Sequence, residues 1–138
     1  KVFATPGWRV IKDRGSLLIE PVQEAVKPLL EIKEHPYTPD FMIPRNKATA
    51  CFDADKLQHP LSLRLCRQGD SFVPFGMKGR KKVSDYLTDR KFSLLRKERQ
   101  WVLCCGDDII WLVGERVDNR FRIDEKTRKV LVVSTIDQ

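Results

Sequence analysis

All eight prolines of this 138-residue chain lie at or before Pro74, and this distribution divides the sequence into two parts. Proline fixes the backbone dihedral φ and cannot donate to a strand ladder, so Pro-rich stretches interrupt regular structure. In the first 60 residues, short apolar runs alternate with such stretches. WRVIKD and SLLIEPV flank Arg14-Gly15 as a predicted hairpin, KATACF is a predicted strand, and residues 35–46 are predicted to form an irregular surface loop.

From Leu61 onward the apolar pattern becomes regular. LSLRLCR alternates apolar and polar residues, which is the period of a half-buried strand. VSDYLTDRKFSLL has helical spacing with a break at Phe92-Ser93, where Ser93 is the predicted N-cap of a second short helix ending at Arg99. WVLCC and IIWLVGERV, joined by a Gly106-Asp107 turn, predict a buried hairpin, and FRID with KVLVVS predicts another. The order of strands, helical insert and strands predicts a sheet-dominated α+β domain.

The positive charge of the chain is concentrated in one segment. The formal net charge is +7, and residues 78–99 hold nine basic and three acidic residues, an excess of six positive charges. A surface that is merely solvated mixes its signs. A local excess of this size favours a polyanionic partner, with nucleic acid first and an acidic protein or membrane surface second.

The cysteines and histidines form no recognisable site pattern. No pair of cysteines has Cys-x-x-Cys spacing, and all four lie in apolar, strand-like runs: Cys51, Cys66, Cys104 and Cys105. They are predicted to be reduced and buried. His35 and His59 each precede a proline in a loop-like context, without a nucleophile motif. We therefore predict no metal site and no catalytic histidine.

The segment GMKGRKK, residues 76–82, leads into the predicted helix. Its glycines permit unusual backbone conformations, and the N–H groups at a helix start can seat a phosphate. The spacing is not that of a nucleotide-binding P-loop. Two interpretations are open on these residues: contact with RNA or DNA, and a solvated basic face.

The carboxylates and aromatic residues near this segment have structural interpretations. Asp85 and Asp89 share one face of the predicted helix, where we expect them to orient basic side chains through intrahelical pairs rather than to form an acid/base pair. Phe72 and Phe75 are open between core packing and stacking on an exposed nucleotide. The tryptophans are predicted to be core or sheet-face residues: Trp8, Trp101 and Trp111.

Three further arginines follow Gly114 in WLVGERVDNRFRID. If FRID pairs back on WLVGER as a strand, Arg120 and Arg122 point to the same face, and that face cannot be core. Together with Arg116 they are predicted to extend the basic surface.

Short motifs spread over about half the chain carry a family resemblance. They are Arg67-x-Gly-Asp70, Pro74-Phe-Gly-Met77, Lys81-Lys82-x-Ser-Asp85, Asp89-Arg-Lys91, and Trp111-x-Val-Gly114 followed by Arg116 and Arg120-Phe121. In their order and spacing, the stretch from Leu63 to Val133 resembles the C-terminal substrate-binding domain of bacterial tRNA(Ile)-lysidine synthetase. The residues before it resemble the part of the family that leads into this domain.

The resemblance implies a three-layer α+β fold with a β-sandwich, akin to a domain of the phenylalanyl-tRNA synthetase β subunit. For the full-length enzyme it implies an ATP-dependent ligase that attaches lysine to the wobble cytidine of the isoleucine tRNA with a CAU anticodon. The catalytic half of the family is a PP-loop domain with a Ser-Gly-Gly-x-Asp-Ser motif, which this sequence lacks. The resemblance therefore implies a cytoplasmic fragment without catalytic residues or a cofactor of its own, which works with the N-terminal catalytic domain and the ATP of the full-length enzyme.

We predict from this a tRNA-binding surface that contacts mainly backbone phosphates of the acceptor arm. Ser84 and Asp85 are expected to orient its side chains rather than to contact tRNA. The predicted contacts are Lys78, Arg80, Lys81, Lys82, Arg90 and Lys91, with Arg64, Arg67, Arg116 and Arg120 as further contacts. No catalytic, cofactor or metal-binding residue is predicted.

The alternative is a basic interdomain or protein-interaction module that docks on the rest of its chain or on a partner subunit, with only secondary RNA contact. We expect a strand and Pro-rich lead-in segment at residues 1–60, packing on the tRNA-binding domain at residues 61–138. The chain does not begin with Met and is expected to be a fragment of a longer protein. Its apolar runs predict no membrane span or export signal, and a homodimer is left open.

Overall fold

The computed structural model describes residues 27–136 in full and, before them, the backbone of three strands: β1 (Val2–Thr5), β2 (Trp8–Asp13) and β3 (Ser16–Pro21). These strands form an antiparallel sheet in the order β1-β2-β3, with Asp13 opposite Ser16. The predicted hairpin of WRVIKD and SLLIEPV is confirmed. Its Arg14-Gly15 turn and the side chain of Trp8 lie outside the described residues.

The fully described part, residues 27–136, alternates strands with short helices. The strands are β4 (Leu29–Pro36), β5 (Thr49–Asp53), β6 (Leu61–Leu65), β7 (Ser71–Phe72), β8 (Lys81–Lys82), β9 (Trp101–Cys105), β10 (Asp108–Leu112), β11 (Arg116–Val117) and β12 (Lys129–Ile136). The α-helices are α1 (Val83–Asp89) and α2 (Leu94–Glu98), and 3₁₀ helices lie at Ala54–Lys56 and Asn119–Phe121.

A four-stranded antiparallel sheet runs in the order β11-β10-β9-β6. The alternation in LSLRL predicted β6, and the Gly106-Asp107 turn joins β9 to β10 as expected, with Gly106 at a φ of +60°. A register shift between Ile109 and Trp111 interrupts the β9–β10 pairing. Such a bulge places an extra residue on one strand, so Ile110 and Trp111 both pack on the same side of the sheet.

A three-stranded sheet has β12 in its centre, between β4 and β5. The predicted pairing of FRID with KVLVVS is wrong, because Phe121 ends a 3₁₀ helix and KVLVVS pairs with strands from the first part of the chain. The carboxylate of Asp118 accepts a hydrogen bond from the Arg120 N–H and caps that helix. Local side-chain bonds of this kind compete with strand pairing.

The helical insert follows the predicted pattern. Val83, Tyr86 and Leu87 form the buried face of α1. The hydroxyl of Ser93 accepts a hydrogen bond from the Arg96 N–H and starts α2, as expected of an N-cap serine.

Two apolar clusters show that the elements form three layers. Side chains alternate along β9, so Val102 and Cys104 face the helices while Leu103 and Cys105 face the three-stranded sheet. The first cluster holds α1 against the four-stranded sheet through Phe72 and its neighbours. The second fills the space between the two sheets, around the almost fully buried Trp111. The predicted sheet-dominated, three-layer α+β fold with a β-sandwich is confirmed.

The remaining predictions on the fold concern the loop after β4, the division of the chain and membrane spans. The predicted loop begins later than expected, because His35 and Pro36 belong to β4. The division of the chain at residue 60 stays a prediction; β4 and β5, from the first part, share a sheet with β12, from the second. Within the described residues, no helix has the length and apolar character needed to cross a membrane.

The four cysteines are free thiols, as predicted. Cys104 and Cys105 are buried, whereas Cys51 and Cys66 are half-buried. Burial raises the pKa of the Cys51, Cys66 and Cys104 thiols, which keeps them in the less reactive protonated form.

Candidate nucleic-acid interface

The turn of residues 74–77, with the sequence PFGM, lies beside the helical layer and is held at both ends. The Met77 N–H donates to the Pro74 carbonyl at 2.9 Å, and the Phe75 N–H donates to the Val117 carbonyl at 3.0 Å. Gly76 has a φ of +87°, a conformation that glycine adopts without strain, and its N–H donates to Oδ1 of Asn119 at 3.2 Å. The turn is therefore a fixed support for the basic residues that follow it.

Asp118 is the fully buried carboxylate that holds this support in place. Its oxygens accept hydrogen bonds from the Val73 N–H at 2.9 Å and the Arg120 N–H at 2.8 Å. They also accept two bonds of 3.0 Å from Nε and Nη2 of the Arg120 side chain. Asp118 was not among the predicted site residues. Aspartate is a favoured N-cap residue, but the burial of Asp118 and its bond to the Val73 N–H depend on the tertiary fold.

Arg116 and Arg120 were predicted to contact RNA, and both have partners within the protein. Arg116 donates to the Phe75 carbonyl at 3.2 Å and to the Tyr86 hydroxyl at 3.3 Å, so it braces the turn against α1. Arg120 also lies 3.4 Å from Asp108 and is therefore paired with two carboxylates. RNA contact by either arginine stays a prediction. The expected strand position of Arg120 and Arg122 is wrong, because residues 119–121 form the 3₁₀ helix.

The six predicted contacts between residues 78 and 91, which we call the basic segment, divide into two groups. Three have partners in the protein. Arg80 donates to the Ser71 hydroxyl at 3.0 Å, Lys81 pairs with Asp89, and Nε of Arg90 lies 3.0 Å from Glu115. The Glu115 carboxylate raises the pKa of the Arg90 guanidinium. These pairs orient their basic side chains.

The other three residues of the basic segment are Lys78, Lys82 and Lys91. All three are exposed, and within residues 27–136 their ammonium groups make no ion pair or hydrogen bond. Arg67 is likewise exposed, and among the described residues only its backbone is bonded: its N–H donates to the Asp70 carboxylate at 2.7 Å and its carbonyl accepts from the Asp70 N–H at 3.2 Å. These four side chains present their full charge to solvent and can bind an anion without breaking a bond in the protein.

Lys91 adopts a backbone conformation that lysine rarely takes. Its φ is +66°, and it stands immediately after the C-cap residue of α1. The Lys91 N–H donates to the Thr88 carbonyl and the Phe92 N–H to the Leu87 carbonyl, each at 2.9 Å. This is the Schellman motif, in which glycine is the usual residue at this position. Lys91 therefore has a strained backbone conformation, and its side chain is exposed at the end of the basic segment.

We expect Lys91→Gly to raise the free energy of unfolding by about 1 kcal/mol, because glycine takes a positive φ without a steric penalty. Urea unfolding measures this difference. Lys91→Ala is the matched control, since it removes the same charge but keeps a side chain at the strained position. Equal stability of the two variants would contradict the strain at Lys91.

The glycines of residues 76–82 do not lead directly into α1, as the predicted phosphate site requires. β8 separates Gly79 from α1, and Lys82 is the N-cap residue without a side-chain capping bond. The Val83 N–H donates to the Asp70 carbonyl at 2.9 Å. The glycines therefore shape the turn and the strand connection rather than the helix start.

The expected intrahelical pairs of Asp85 and Asp89 with basic side chains are not found among the described residues. Asp89 pairs with Lys81, which lies ahead of the helix rather than within it. Asp85 is exposed in the first turn of α1. Within the described part of the chain, no three His, Cys, Asp or Glu side chains gather in a way that could hold a metal ion.

The Arg64 side chain on β6 clamps the 67–70 turn through Asp70, whose carbonyl also accepts the Val83 N–H at the start of α1. Two guanidinium nitrogens of Arg64 lie 2.8 Å and 3.0 Å from the two Asp70 oxygens. Burial by itself would raise the pKa of the Asp70 carboxyl, but the Arg64 hydrogen bonds and the Arg67 N–H outweigh it and lower that pKa. Arg64, one of the further predicted contacts, is thus paired inside the protein, while Arg67 points to solvent.

This clamp predicts a pH dependence of stability. Since the folded pKa of Asp70 lies below its unfolded value, its stabilisation is complete above about pH 4 and is lost as the pH falls through the folded pKa. We expect Asp70→Asn to lower the free energy of unfolding at pH 7 by about 1–3 kcal/mol. Urea unfolding from pH 7 to pH 2 should show the two proteins converging in acid. A constant difference across that range would contradict the charge-assisted clamp.

The aromatic residues beside the turn differ in exposure. Phe72 is fully buried, in edge contact with Tyr86, and belongs to the core. Phe75 has 47% of its surface exposed. Only Phe75 of this pair is available to stack on a nucleotide.

Comparison with known proteins identifies the family. The family model described as the TilS substrate C-terminal domain matches residues 61–134, which is more than half of the chain. The chain belongs to the TilS C-terminal domain family. The predicted family resemblance is confirmed, and its matched range covers the turn, the basic segment and the Arg64–Asp70 clamp.

Curated relatives extend the similarity to nearly the whole chain. The tRNA(Ile)-lysidine synthase of Bacteroides thetaiotaomicron is 59% identical over 99% of this chain and 33% of its own length. The tRNA(Ile)-lysidine synthase of Parabacteroides distasonis is 48% identical over 97% of this chain and 34% of its own length. The chain thus spans about a third of the length of these relatives.

Solved structures share the fold. A crystal structure of a TilS C-terminal domain superposes with a TM-score of 0.62 at 19% identity, covering 79% of this chain and 85% of that one. An N-terminal fragment of the phenylalanyl-tRNA synthetase β subunit from Pyrococcus horikoshii gives a TM-score of 0.55 at 18% identity, covering 63% of this chain and 27% of that one. Both likenesses agree with the expected fold.

Proposed function

We propose that this chain is the tRNA-binding domain of a tRNA(Ile)-lysidine synthase and that its basic segment contacts the phosphate backbone of tRNA. The family of the chain and the names of its relatives support this proposal. The observation that carries it is the placement of charge: Lys78, Lys82 and Lys91 are exposed and have no partner among the described residues. They lie on one short segment whose neighbouring arginines are fixed by protein partners.

In this proposal, tRNA binding depends on a rigid backbone that carries flexible lysine side chains. The Asp118 bonds hold the turn ahead of Lys78, and the Schellman motif fixes the backbone of Lys91. The lysine side chains can then adjust to phosphates of an RNA helix. Duplex RNA hides its base edges in a deep major groove, so contacts of this kind read shape and charge rather than sequence.

The full-length protein is proposed to be a cytoplasmic, ATP-dependent ligase that joins lysine to the wobble cytidine of the isoleucine tRNA with a CAU anticodon. The relatives are about three times as long as this chain, which leaves room for a separate catalytic part. In this proposal the present domain positions the tRNA, ATP binds elsewhere in the protein, and no residue described above performs chemistry.

A salt titration of binding tests this proposal. The 138-residue chain is titrated with isoleucine tRNA and with initiator methionine tRNA between about 50 and 200 mM salt. Each phosphate contact contributes roughly 0.9 to the slope of log affinity against log salt, so three or four contacts predict a slope of about −3. The affinity ratio of the two tRNAs measures how much discrimination lies in this domain. Absence of binding to either tRNA at low salt would contradict the proposal and favour a surface that docks on another part of the protein.

A further inference from the structure

A cavity of about 330 Å³ opens beside the basic segment, between the 74–77 turn and the loop that follows β4. Phe75 forms part of one side, and Ile43 and Pro44 of the loop form part of the other. Ala50 and Trp111, both almost fully buried, lie at its base. Ligand sites in proteins have volumes from about 300 Å³ upward and combine apolar walls with a few polar groups. The cavity has this size and this kind of wall.

The charged groups that line the cavity are two arginines and one carboxylate, and Asn46 and Thr49 add uncharged polar groups. Arg116 donates two of its N–H groups, to the Phe75 carbonyl and the Tyr86 hydroxyl, and Arg122 donates to the Asn119 carbonyl at 3.1 Å. Each guanidinium has five N–H donors, so both have donors left for an anion. Glu115 is only 8% exposed, and its Oε2 lies 3.8 Å from Nζ of Lys47, beyond hydrogen-bond distance.

These groups match the parts of a nucleotide. A base has a flat apolar face for Phe75 and amino groups at its edge for Oε2 of Glu115, which is ion-paired with Lys47 but not hydrogen-bonded to it. The phosphate is an anion for the arginines. An apolar side chain from another protein would fill the space between the walls but would leave the remaining N–H groups of the two guanidinium groups without an acceptor. Base stacking on exposed aromatic rings is a usual way for proteins to hold unpaired RNA.

The cavity is also connected to the basic segment. Glu115 lines the cavity, and its Oε1 accepts a hydrogen bond from Arg90, the C-cap residue of α1. One ion pair therefore joins the cavity wall to the basic segment. Arg116 joins the same wall to Tyr86 of α1. An RNA strand on the basic segment therefore passes close to the cavity.

We propose that this cavity binds one unpaired RNA nucleotide, whose base stacks on Phe75 and whose phosphate pairs with Arg116 and Arg122. The inference rests on the proposed function, since it requires RNA on the neighbouring basic segment. The nucleotide comes either from a single-stranded 3′ end or from a loop or bulge, and the experiment distinguishes these sources.

The test uses three RNA hairpins with the same stem and the same stable tetraloop. The first has a blunt end, the second a four-nucleotide 3′ overhang, and the third a blunt end with a one-nucleotide bulge. 2-Aminopurine, whose fluorescence falls on stacking, replaces one unpaired base of the second and third. We expect the overhang or the bulge to raise the affinity about 5- to 100-fold over the blunt hairpin, since stacking of one base is worth about 1–3 kcal/mol. The fluorescence should fall on binding.

Phe75→Ala should abolish both the affinity gain and the fluorescence change while lowering the affinity for the blunt hairpin by a much smaller factor, because the backbone bonds of residue 75 that hold the turn remain. Phe75→Tyr should retain the gain, and Phe75→Leu should lose it because leucine has no aromatic face. Met77→Ala is the matched control: Met77 is 45% exposed in the same turn and does not line the cavity. It should behave as the wild type does.

The outcomes separate this inference from the proposed function. Equal binding of all three hairpins, without a fluorescence change, would overturn the nucleotide site and leave the proposed function standing. A gain that survives in Phe75→Leu would also overturn it, since the cavity would then accept an apolar group. Failure to bind the blunt hairpin and tRNA alike would overturn the proposed function itself.

Discussion

The triple variant Lys78→Ala/Lys82→Ala/Lys91→Gly should bind tRNA about 10- to 100-fold more weakly than the wild type at 0.1 M salt. Three exposed ammonium groups are lost, and none of them makes an ion pair among the described residues. Loss of three phosphate contacts should also make the slope of log affinity against log salt shallower by roughly 2.7. Fluorescence anisotropy with labelled tRNA at several salt concentrations measures both effects.

The matched control for this variant removes three charges from the layer opposite the helices. Lys27, Lys126 and Arg128 are exposed and lie just ahead of β4 or β12 of the three-stranded sheet. The control Lys27→Ala/Lys126→Ala/Arg128→Ala should change affinity less than about 3-fold, because charges beyond the Debye length, about 10 Å at 0.1 M salt, are largely screened. Equal losses in the two variants would mean that net charge, and not the basic segment, determines binding. Lys81 is kept in both, since its removal would free the Asp89 carboxylate.

Asp118→Ala should lower the free energy of unfolding by about 3–5 kcal/mol, the usual effect of removing one partner of a buried ion pair. The variant leaves the Val73 N–H without its acceptor and the Arg120 guanidinium with only Asp108 as an ionic partner. The 74–77 turn should loosen at the same time, because the Asp118 carboxylate no longer binds the Val73 N–H directly ahead of it.

Urea unfolding measures the loss of stability, and amide hydrogen exchange at Phe75 and Met77 measures the loosening of the turn. Glu125→Ala is a suitable control, since Glu125 is exposed and surface substitutions usually change stability by less than about 0.5 kcal/mol. A loss below about 1 kcal/mol for Asp118→Ala would contradict the role of Asp118 as the buried support of the turn.

The sequence predicted the elements whose signals are local. Alternation in LSLRL, the Gly106-Asp107 turn and the Ser93 cap each depend on neighbouring residues, and each is found where expected. The three-layer arrangement came from the family resemblance, because strand order depends on contacts between distant segments.

Predictions from the sequence were wrong where a side-chain hydrogen bond decided the structure. The FRID segment has strand-like residues, yet Asp118 bonds the backbone of Arg120 and turns the chain into a 3₁₀ helix. Basic composition likewise placed Arg116 and Arg120 among the further RNA contacts without showing that both have partners within the protein. Only the structure separates arginines that are held by protein partners from lysines that have none among the described residues.

The measurement that tests the central claim most directly is amide chemical-shift mapping of the 138-residue chain during titration with isoleucine tRNA. We predict that the largest changes fall within residues 74–91 and around Glu115 and Arg116, and that β4 and β12 change little. Changes concentrated on β4 and β12, or no changes at a salt concentration of about 0.1 M, would contradict the assignment of the basic segment as the tRNA-binding surface.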